Sequence, residues 1–365
     1  MKLKQIIQYL EKIAPPVYQE SYDNAGLICG NNNLVVTKAL ICLDSTEEII
    51  DEAIEKGANL VIAHHPIVFS GLKTFIGKNY VERTIIKAIK NDIAIYAIHT
   101  NLDNVHQGVN AKICELLNIE TPKILLPKKN TLNKLVYFTP RKDSEIIKNA
   151  LFEIGLGQIG NYREASFSVK GIGTFKGNEN SNLKVGEKNK REKIKEIRTE
   201  LLLPKHLVTK AINVLLDIHP YEEVPFEVYN IENTNQNIGS GMIGELKEEI
   251  PIKDFLEKLK IIFKTGCIKH TELINKKVKR IAVCGGAGSF LLKPAISQKA
   301  DIFITGDFKY HEFFDAEDKI IIADIGHYES EQYTKELLYD KLIEKFPTFA
   351  FLLTEKNTNP VKYYT

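Results

Sequence analysis

Continuous apolar runs that alternate with amphipathic stretches constrain the fold of this chain more than any other feature. The runs ALICLD (39–44), NLVIAHH (59–65) and IAIYAIHT (93–100) are apolar almost throughout. Strands of this kind are covered on both faces, as in a parallel sheet between helices. The stretch STEEIIDEAIEKG is predicted to be a helix that begins near Ser45 or Thr46 and ends at Gly57. The first 126 residues are therefore predicted to form an α/β domain.

A different order of elements occupies residues 127–245. Runs such as KLVYFTP, DSEIIKNALFEIG and ASFSVKGIGTFKG predict strand, helix, strand, and the rest of the region predicts strand, helix, strand. This βαββαβ order is that of a ferredoxin-like α+β domain. The segment GNENSNLKVGEKNKRE in its central hairpin is rich in Asn, Lys and Gly, and it is predicted to be a solvated loop.

The α/β pattern returns in residues 246–365 and echoes the first block. KALICLDSTEEIIDEAIEKGANLVIAHHP aligns with KRIAVCGGAGSFLLKPAISQKADIFITGDF when one residue is inserted. A chain of 365 residues is also longer than one core usually serves. We therefore predict two related α/β halves, 1–126 and 246–365, that form one domain around a pseudo-twofold axis, with the ferredoxin-like domain 127–245 as an insertion.

Charge and composition argue against several classes of protein. The 49 basic and 47 acidic residues leave a formal charge of +2, which provides no broad field for nucleic acid or an acidic membrane surface. The five cysteines are scattered without a CxxC pair and are predicted to be reduced thiols. No run approaches the length of a membrane span, and the amino terminus has no signal-peptide core. A cytoplasmic protein is expected.

Imidazole and carboxylate side chains follow three predicted strands. His64 and His65 close one run, Asp103 lies three residues past another, and His327 follows KIIIADIG, with Glu331 one helical turn later. Ligands of open α/β sheets collect at these strand ends. Neighbouring residues of a strand point to opposite faces, so two adjacent histidines can share a site only where the strand has ended or where each binds a different ion. The five residues together predict a binuclear metal site, although each segment alone has a structural interpretation.

A glycine-rich segment and two further histidines near these strand ends each have two interpretations. The turn CGGAGSF (284–290) either binds an anion through its backbone N–H groups, with help from Lys309, or forms only a tight turn. His99 and His311 are candidate catalytic residues, as proton shuttles, or else partners of the metal ligands.

The remaining polar residues of interest receive structural interpretations. Asp44 and Asp307 end strands at equivalent places in the two halves and are interpreted as turn-forming residues. Asp23 and Asn24 are interpreted as residues that fix a loop. His219, in HPYEE, is a weak candidate for a binding role in the inserted domain.

Six segments of the chain resemble signature segments of the Nif-three-like dinuclear metal-centre family, whose members are also called GTP cyclohydrolase type 2 homologues. They are ESYDNAGLICG, IAHHPIVF, AIHTNLDN, AVCGGAGSF, FITGDFKYHE and IADIGHYESE. The resemblance implies a toroidal homohexamer whose sites face an internal cavity. It also implies that the inserted domain is CutA-like or PII-like. The metal ligands that it implies are His64, His65, Asp103, His327 and Glu331.

These features predict a metal-dependent hydrolase that acts on a nucleotide-like substrate. The expected cofactors are two divalent metal ions per chain, zinc in the first place, with iron or manganese as alternatives, because such ions activate water near neutral pH. If the family name describes the activity, water attacks C8 of GTP, opens the imidazole ring and releases formate. Two alternatives stay open: a metal-binding regulatory or sensor protein with a non-catalytic centre, and a metal-dependent phosphoesterase.

Overall fold

A computed structural model of the chain describes residues 1–184 and 186–364. They form two compact units, one made of residues 1–128 with the chain from 236 onward, the other of residues 129–235. The strands, in chain order, are β1 Gly26–Cys29, β2 Ala39–Asp44, β3 Leu60–His65, β4 Ala94–Ala97, β5 Ile119–Pro127, β6 Leu132–Pro140, β7 Ser166–Phe175, β8 Glu192–Pro204, β9 Phe226–Asn230, β10 Gly239–Pro251, β11 Lys269–His270, β12 Lys277–Ala287, β13 Ile302–Gly306, β14 Ile321–Asp324 and β15 Phe351–Leu353.

Helices connect most of these strands. The α-helices are α1 Leu3–Ile13, α2 Glu47–Lys56, α3 Tyr80–Lys90, α4 Thr100–Asp103, α5 Val109–Leu117, α6 Ser144–Glu153, α7 Val208–Ile218, α8 Ile252–Phe263, α9 Leu292–Ser297, α10 His327–Glu331 and α11 Thr334–Lys345. Short 3-10 helices cover Pro16–Tyr18, Lys205–Leu207, Ser289–Leu291 and Tyr310–Ala316. No helix within the two described stretches combines the length and the apolar character that crossing a bilayer requires.

The first sheet of unit 1 has the strand order β1-β4-β3-β2-β15. Strands β2, β3 and β4 are parallel, β15 is parallel to β2, and β1 is antiparallel to β4. Along β3, Leu60 and Ile62 belong to one apolar core, whereas Val61 and Ala63 belong to another on the opposite face. This double burial is the reason that the strand has a continuous apolar sequence.

Helix α2 begins and ends where the sequence predicts. The Thr46 hydroxyl accepts a hydrogen bond from the Ile49 N–H at 3.4 Å, and Gly57 follows the helix with φ +66°, a conformation that favours glycine. These two ends set the length of the connection between β2 and β3. Because β2 and β3 are parallel, their carboxyl ends lie at the same edge of the sheet.

The second sheet of unit 1 repeats the order of the first over four strands. Its strands follow the order β11-β14-β13-β12-β10-β5, with β12, β13 and β14 parallel and β11 antiparallel to β14. An antiparallel edge strand followed by three parallel strands thus occurs in both sheets. The mixed α/β class predicted from the sequence is confirmed. Residues 239–251 form β10 of this sheet, so the end of the segment that the sequence analysis assigned to the insertion lies in unit 1.

Unit 2 contains strands and helices in the order β6, α6, β7, β8, α7, β9. Its antiparallel sheet has the strand order β7-β8-β6-β9. Apolar side chains of β6 and β8, such as Leu135 and Leu201, form its core with Ile147 of α6 and Leu215 of α7. The predicted loop GNENSNLKVGEKNKRE covers residues 177–192, and residues 176–191 connect β7 and β8. This connection is largely exposed, although Val185 lies outside the described residues.

Candidate metal centre

The five predicted ligands converge at the carboxyl ends of strands from both sheets of unit 1. His64 and His65 are the last residues of β3, Asp103 ends the short helix α4 after β4, and His327 and Glu331 lie in α10 after β14. Residues four apart on a helix are neighbours on one face. The Nε2 atom of His327 is accordingly 3.1 Å from Oε2 of Glu331.

One group of ligand atoms surrounds Oε2 of Glu331. This oxygen is also 2.9 Å from Nε2 of His65, and the Nε2 atoms of His65 and His327 are 3.4 Å apart. Two ligand atoms about 2.1 Å from one ion at tetrahedral angles lie about 3.4 Å apart. His65, His327 and Glu331 therefore have the spacing of a group that could hold one divalent ion.

A second group lies on the other oxygen of the same carboxylate. Nε2 of His64 is 3.9 Å from Oε1 of Glu331 and 3.6 Å from Oδ1 of Asp103. These three residues form another group that could hold an ion. Glu331 is common to both groups and directs one oxygen to each, as a bridging carboxylate does.

Two buried atoms of the second group indicate whether a cation would fit between its ligands. Among the described residues, neither Nε2 of His64 nor Oδ1 of Asp103 has a hydrogen-bond partner. Buried polar atoms are nearly always paired, because an unpaired one costs the free energy of its desolvation. A lone pair on each atom, directed toward the centre, fits a cation that both atoms would bind.

The remaining nitrogen of each histidine determines where its proton lies. Nδ1 of His64 is 2.8 Å from the carbonyl oxygen of Ile98, to which it donates, so its Nε2 lone pair is available for a metal ion. Nδ1 of His65 is 2.7 Å from Oδ1 of Asp44. Asp44 and His65 are register partners on the parallel strands β2 and β3, which places the carboxylate beside the ring.

His327 has the same arrangement in the other half. Its Nδ1 lies 2.7 Å from Oδ2 of Asp307, which follows β13. The sequence interpretation of Asp44 and Asp307 as turn-forming residues missed these contacts. Both carboxylates orient an imidazole, as the outer partners of metal-binding histidines do.

Negative charge on Glu331 changes the pKa of its neighbours. The charge of Glu331 raises the pKa of His327 to about 11. Burial lowers the pKa of His65, but hydrogen bonds to Asp44 and Glu331 outweigh it and bring that pKa to about 9. Burial and the charge of Glu331 together raise the pKa of Asp103 to about 8. A cation that binds here has to displace these protons.

The glycines of the CGGAG turn make room for Glu331. A Cβ atom on Gly286 would lie 2.3 Å from Oε1 of Glu331, and Gly286 has φ +64°. Its N–H donates to the Ser330 hydroxyl, and the N–H of Gly285 donates to Oδ1 of Asn110. Because both amides are engaged, the structure does not favour the anion-binding interpretation of this segment, which forms the end of β12 where the register with β13 shifts.

His99 adjoins the centre and is held by Asp23. Its Nδ1 is 2.8 Å from Oδ1 of Asp23, and its ring is 5.3 Å from the rings of both His64 and His65. The other oxygen of Asp23 accepts hydrogen bonds from the N–H and the hydroxyl of Thr100. Burial opposes ionisation of Asp23, but the hydrogen bonds from His99 and Thr100 outweigh it and lower its pKa to about 2. The loop-fixing interpretation of Asp23 missed this contact with His99.

The other sequence candidates lie apart from the centre. His311 is exposed in the 3-10 helix Tyr310–Ala316, where its ring stacks on Phe314. Lys309, just before that helix, is also exposed. Neither residue lines the cavity at the centre.

His219 in unit 2 uses both ring nitrogens within its own unit. Nε2 lies 3.0 Å from the Phe138 carbonyl oxygen, and Nδ1 accepts a hydrogen bond from the Tyr221 N–H at 3.2 Å. These contacts favour a structural role.

A cavity of about 960 Å³ opens over the centre. Thr358 and Asn359, which follow β15, lie in its wall. The Thr358 hydroxyl donates to Oδ2 of Asp44 at 2.6 Å, and the Asn359 amide donates to Oε1 of Glu329 at 3.0 Å. This segment was not predicted to belong to the site, since no motif marks it and 314 positions separate Thr358 from Asp44.

The chain is similar to known proteins over nearly its whole length. The family model Duf34/NIF3 (NGG1p interacting factor 3) matches residues 1–360. The GTP cyclohydrolase 1 type 2 homolog of Bacillus subtilis is 36% identical over 367 residues, which cover 99% of this chain and 98% of that protein. The protein of the same name from Staphylococcus epidermidis is 32% identical, with 100% of both chains covered.

Solved structures show the same fold. A Bacillus cereus protein related to NIF3 has a TM-score of 0.86 and 34% identity, covering 100% of this chain and 99% of that chain. Staphylococcus aureus protein SA1388 has a TM-score of 0.78 and 29% identity, with the same coverage. The resemblance inferred from six segments is thereby confirmed, and the chain belongs to the Duf34/NIF3 family.

Proposed function

We propose that this protein is a hydrolase with a binuclear metal centre and a nucleotide-like substrate. The observation that carries the proposal is the position of Glu331, which offers one carboxylate oxygen to each of two groups of ligand atoms. Each group adds at least one histidine nitrogen. The proposed ligands are His64, His65, Asp103, His327 and Glu331.

The donor set suits two divalent ions of borderline character. Imidazole and carboxylate ligands accept zinc, iron or manganese, and we propose zinc first. Two such ions supply an activated water and neutralise charge on the group that is attacked. Five protein ligands shared by two ions leave coordination positions for water and substrate, which favours catalysis over a closed structural centre.

The protein's own residues orient the ligands and handle protons. Asp44 and Asp307 hold the rings of His65 and His327 by hydrogen bonds of 2.7 Å each. We propose that His99, oriented by Asp23, accepts or donates a proton at its Nε2 during the reaction. His311 receives no role in this proposal.

The name of the relatives suggests a particular reaction. A GTP cyclohydrolase opens the imidazole ring of guanine and releases formate, and we propose this hydrolytic ring opening as the first reaction to test. Phosphoester hydrolysis uses the same arrangement of two ions and is the second.

The proposal extends to the architecture of the chain. The order βαββαβ and the strand order β7-β8-β6-β9 support a ferredoxin-like assignment for unit 2, as a CutA-like or PII-like insertion between two α/β halves. The domain bounds expected from the sequence are 1–126, 127–245 and 246–365, and we propose that the insertion itself comprises residues 129–235, since β10 pairs within the sheet of unit 1. We also propose a toroidal homohexamer, from the resemblance to the family, and sedimentation of the purified protein would test it.

Metal analysis of His327→Ala beside the wild type tests the centre, with His311→Ala as the control. We expect about two ions per chain in the wild type and in the control, and a clear loss in His327→Ala. Each protein is also assayed for formate release from GTP and guanosine and for phosphate release from GTP. Equal metal content in all three proteins would remove His327 from the centre. Intact metal without either product would favour a non-catalytic sensor.

A further inference from the structure

The cavity over the proposed centre is lined by many carboxylates. Four belong to residues already described, namely Asp44, Asp103, Asp307 and Glu331, and three more come from Glu20, Asp324 and Glu329. Two divalent ions bring four positive charges, and the ammonium groups of Lys269 and Lys128, which pair with Asp324 and Glu20, bring two more; the sum is still smaller than the charge of seven carboxylates. The wall therefore stays negative when both ions are bound, and it repels further negative charge.

Lysines near the cavity are already engaged by these carboxylates. Lys269 is the one lysine or arginine among the described lining residues, and its Nζ is 2.6 Å from Oδ2 of Asp324. Lys128, behind the wall, has its Nζ 2.6 Å from Oε1 of Glu20. Besides metal ions, proteins that bind polyphosphates use lysine, arginine or unengaged backbone N–H groups for the phosphates. The backbone N–H groups of Gly285 and Gly286, which lie beside the centre, are not free for a phosphate, because they donate hydrogen bonds to protein oxygens.

Exposed aromatic side chains also line the wall of the cavity. Tyr22, Phe69, Tyr80 and Phe290 all line the cavity, and each is more than half exposed, between 53% and 68%. Exposed aromatic faces in a cavity bind flat rings by stacking and edge contacts. The cavity therefore offers apolar aromatic surface and negative charge, together with the metal centre.

We infer that the substrate is an aromatic heterocycle without a polyphosphate, at the level of a nucleoside or free base. This inference rests on the hydrolase function proposed above and narrows its substrate class. The ring lies against the aromatic wall, and the bond to be hydrolysed faces the centre. A nucleoside triphosphate has the same ring, but its phosphates would meet the carboxylates of the wall.

Guanosine, GMP and GTP test the inference because they share one base and differ in charge. Binding to the metal-loaded wild type is measured by equilibrium dialysis at low salt, and bound metal is measured afterwards, so that extraction of ions by GTP is not counted as binding. We expect GTP to bind at least about tenfold more weakly than guanosine, with GMP between them. The difference should shrink at high salt, because salt screens like-charge repulsion.

Two substitutions at Phe290 test the two parts of the inference, which are the contact of the base with the aromatic wall and the repulsion of the phosphates. Phe290→Leu removes an aromatic face and should weaken guanosine binding several-fold. Phe290→Arg adds a cation to the wall and should strengthen GTP binding relative to the wild type. Tyr310→Leu is the matched control, since Tyr310 is 73% exposed outside the cavity, and it should change neither.

The outcomes separate this inference from the proposed function. GTP that binds as tightly as guanosine to protein that retains its metal would overturn the inference alone, as would absence of guanosine binding to that protein. Metal content that is unchanged in His327→Ala would instead contradict the proposed centre. Guanosine binding that weakens equally in Phe290→Leu and Tyr310→Leu would remove the aromatic wall from the inference.

Discussion

At the scale of single residues, the centre depends on atoms that would not themselves touch a metal ion. The Nδ1 atoms of His64, His65 and His327 are each engaged by an oxygen at 2.7 to 2.8 Å, from a backbone carbonyl group or a carboxylate. Every one of these rings thus directs Nε2 toward Glu331. Loss of an outer partner leaves the ring free to rotate or to change tautomer, which weakens binding of the ion.

The first prediction concerns the contact from Thr358 to Asp44. Asp44→Asn should lower metal affinity about 10- to 100-fold, the usual effect of losing an outer carboxylate. Thr358→Val removes the hydroxyl that orients Asp44 and should lower the affinity by a smaller factor, while Thr358→Ser should keep it. Competition with a chelator measures the metal affinity of all three variants. Equal affinities for the Val and Ser variants would remove the hydroxyl from the argument.

The second prediction is that metal binding releases protons and strengthens as the pH rises. The pKa values of Asp103, His65 and His327 are raised to about 8, 9 and 11, so in the metal-free protein these groups hold protons at neutral pH. An ion must displace those protons, and fewer remain bound as the pH rises. Zinc affinity should therefore increase between about pH 7 and about pH 8.5, and a pH indicator should record proton release.

The control for this prediction is His327→Ala. It removes one of the three titrating groups and should reduce both proton release and the dependence on pH. Zinc affinity that is equal at both pH values, after correction for the chelator, would contradict the displacement of protons.

At the scale of elements, the end of β12 determines whether α10 can approach β3. Gly286, the last residue but one of β12, has φ +64°, and its missing side chain leaves the space that Oε1 of Glu331 occupies. The sequence shows this place as two adjacent glycines. The reason for them appears only when α10 is placed against β12.

The third prediction follows from that close approach. Gly286→Ala should displace the Glu331 carboxylate and lower metal content, because the added Cβ would lie 2.3 Å from Oε1. Gly160→Ala is the matched control, since Gly160 has φ +56° but no atom within 4 Å of an added Cβ. This control variant introduces backbone strain but no clash of the added Cβ with another atom. Metal content that falls equally in both variants would point to strain rather than to the carboxylate.

At the scale of the whole molecule, the centre joins segments that are far apart in the chain. The hydrogen bond between His65 and Glu331 connects positions that are 266 residues apart. Bound ions would therefore connect the two sheets of unit 1 through their strand ends. Such a connection exists only in the folded state, so ion binding stabilises that state.

The fourth prediction is a metal-dependent melting temperature. Zinc at about 100 times its Kd should stabilise the folded protein by about 2.7 kcal/mol and raise the Tm by about 5 °C or more. A strong chelator should reverse the shift, and His327→Ala should reduce it. A shift of equal size in the wild type and in His327→Ala would place the stabilising ion elsewhere.

Much of the centre was predictable from local patterns. Continuous apolar runs identified strands that are buried on both faces, and polar residues at the ends of those runs identified the candidates His64, His65 and His327. The spacing of four residues placed Glu331 beside His327 once a helix was predicted there. Asp44, Asp307 and Asp23 were noticed in the sequence as turn-forming or loop-fixing residues, but their contacts with histidines were not predicted, because an aspartate at a strand end is also a common turn residue.

The sequence by itself determined the residue types, their positions at strand ends and the alternation of strands and helices, because these depend on side-chain periodicity over a few residues. Only the tertiary structure decided which oxygen holds each imidazole, that Glu331 faces two groups of ligand atoms, and that carboxylates and aromatic rings line one cavity. Those relations join residues hundreds of positions apart, and their distances are set by how the sheets and helices pack.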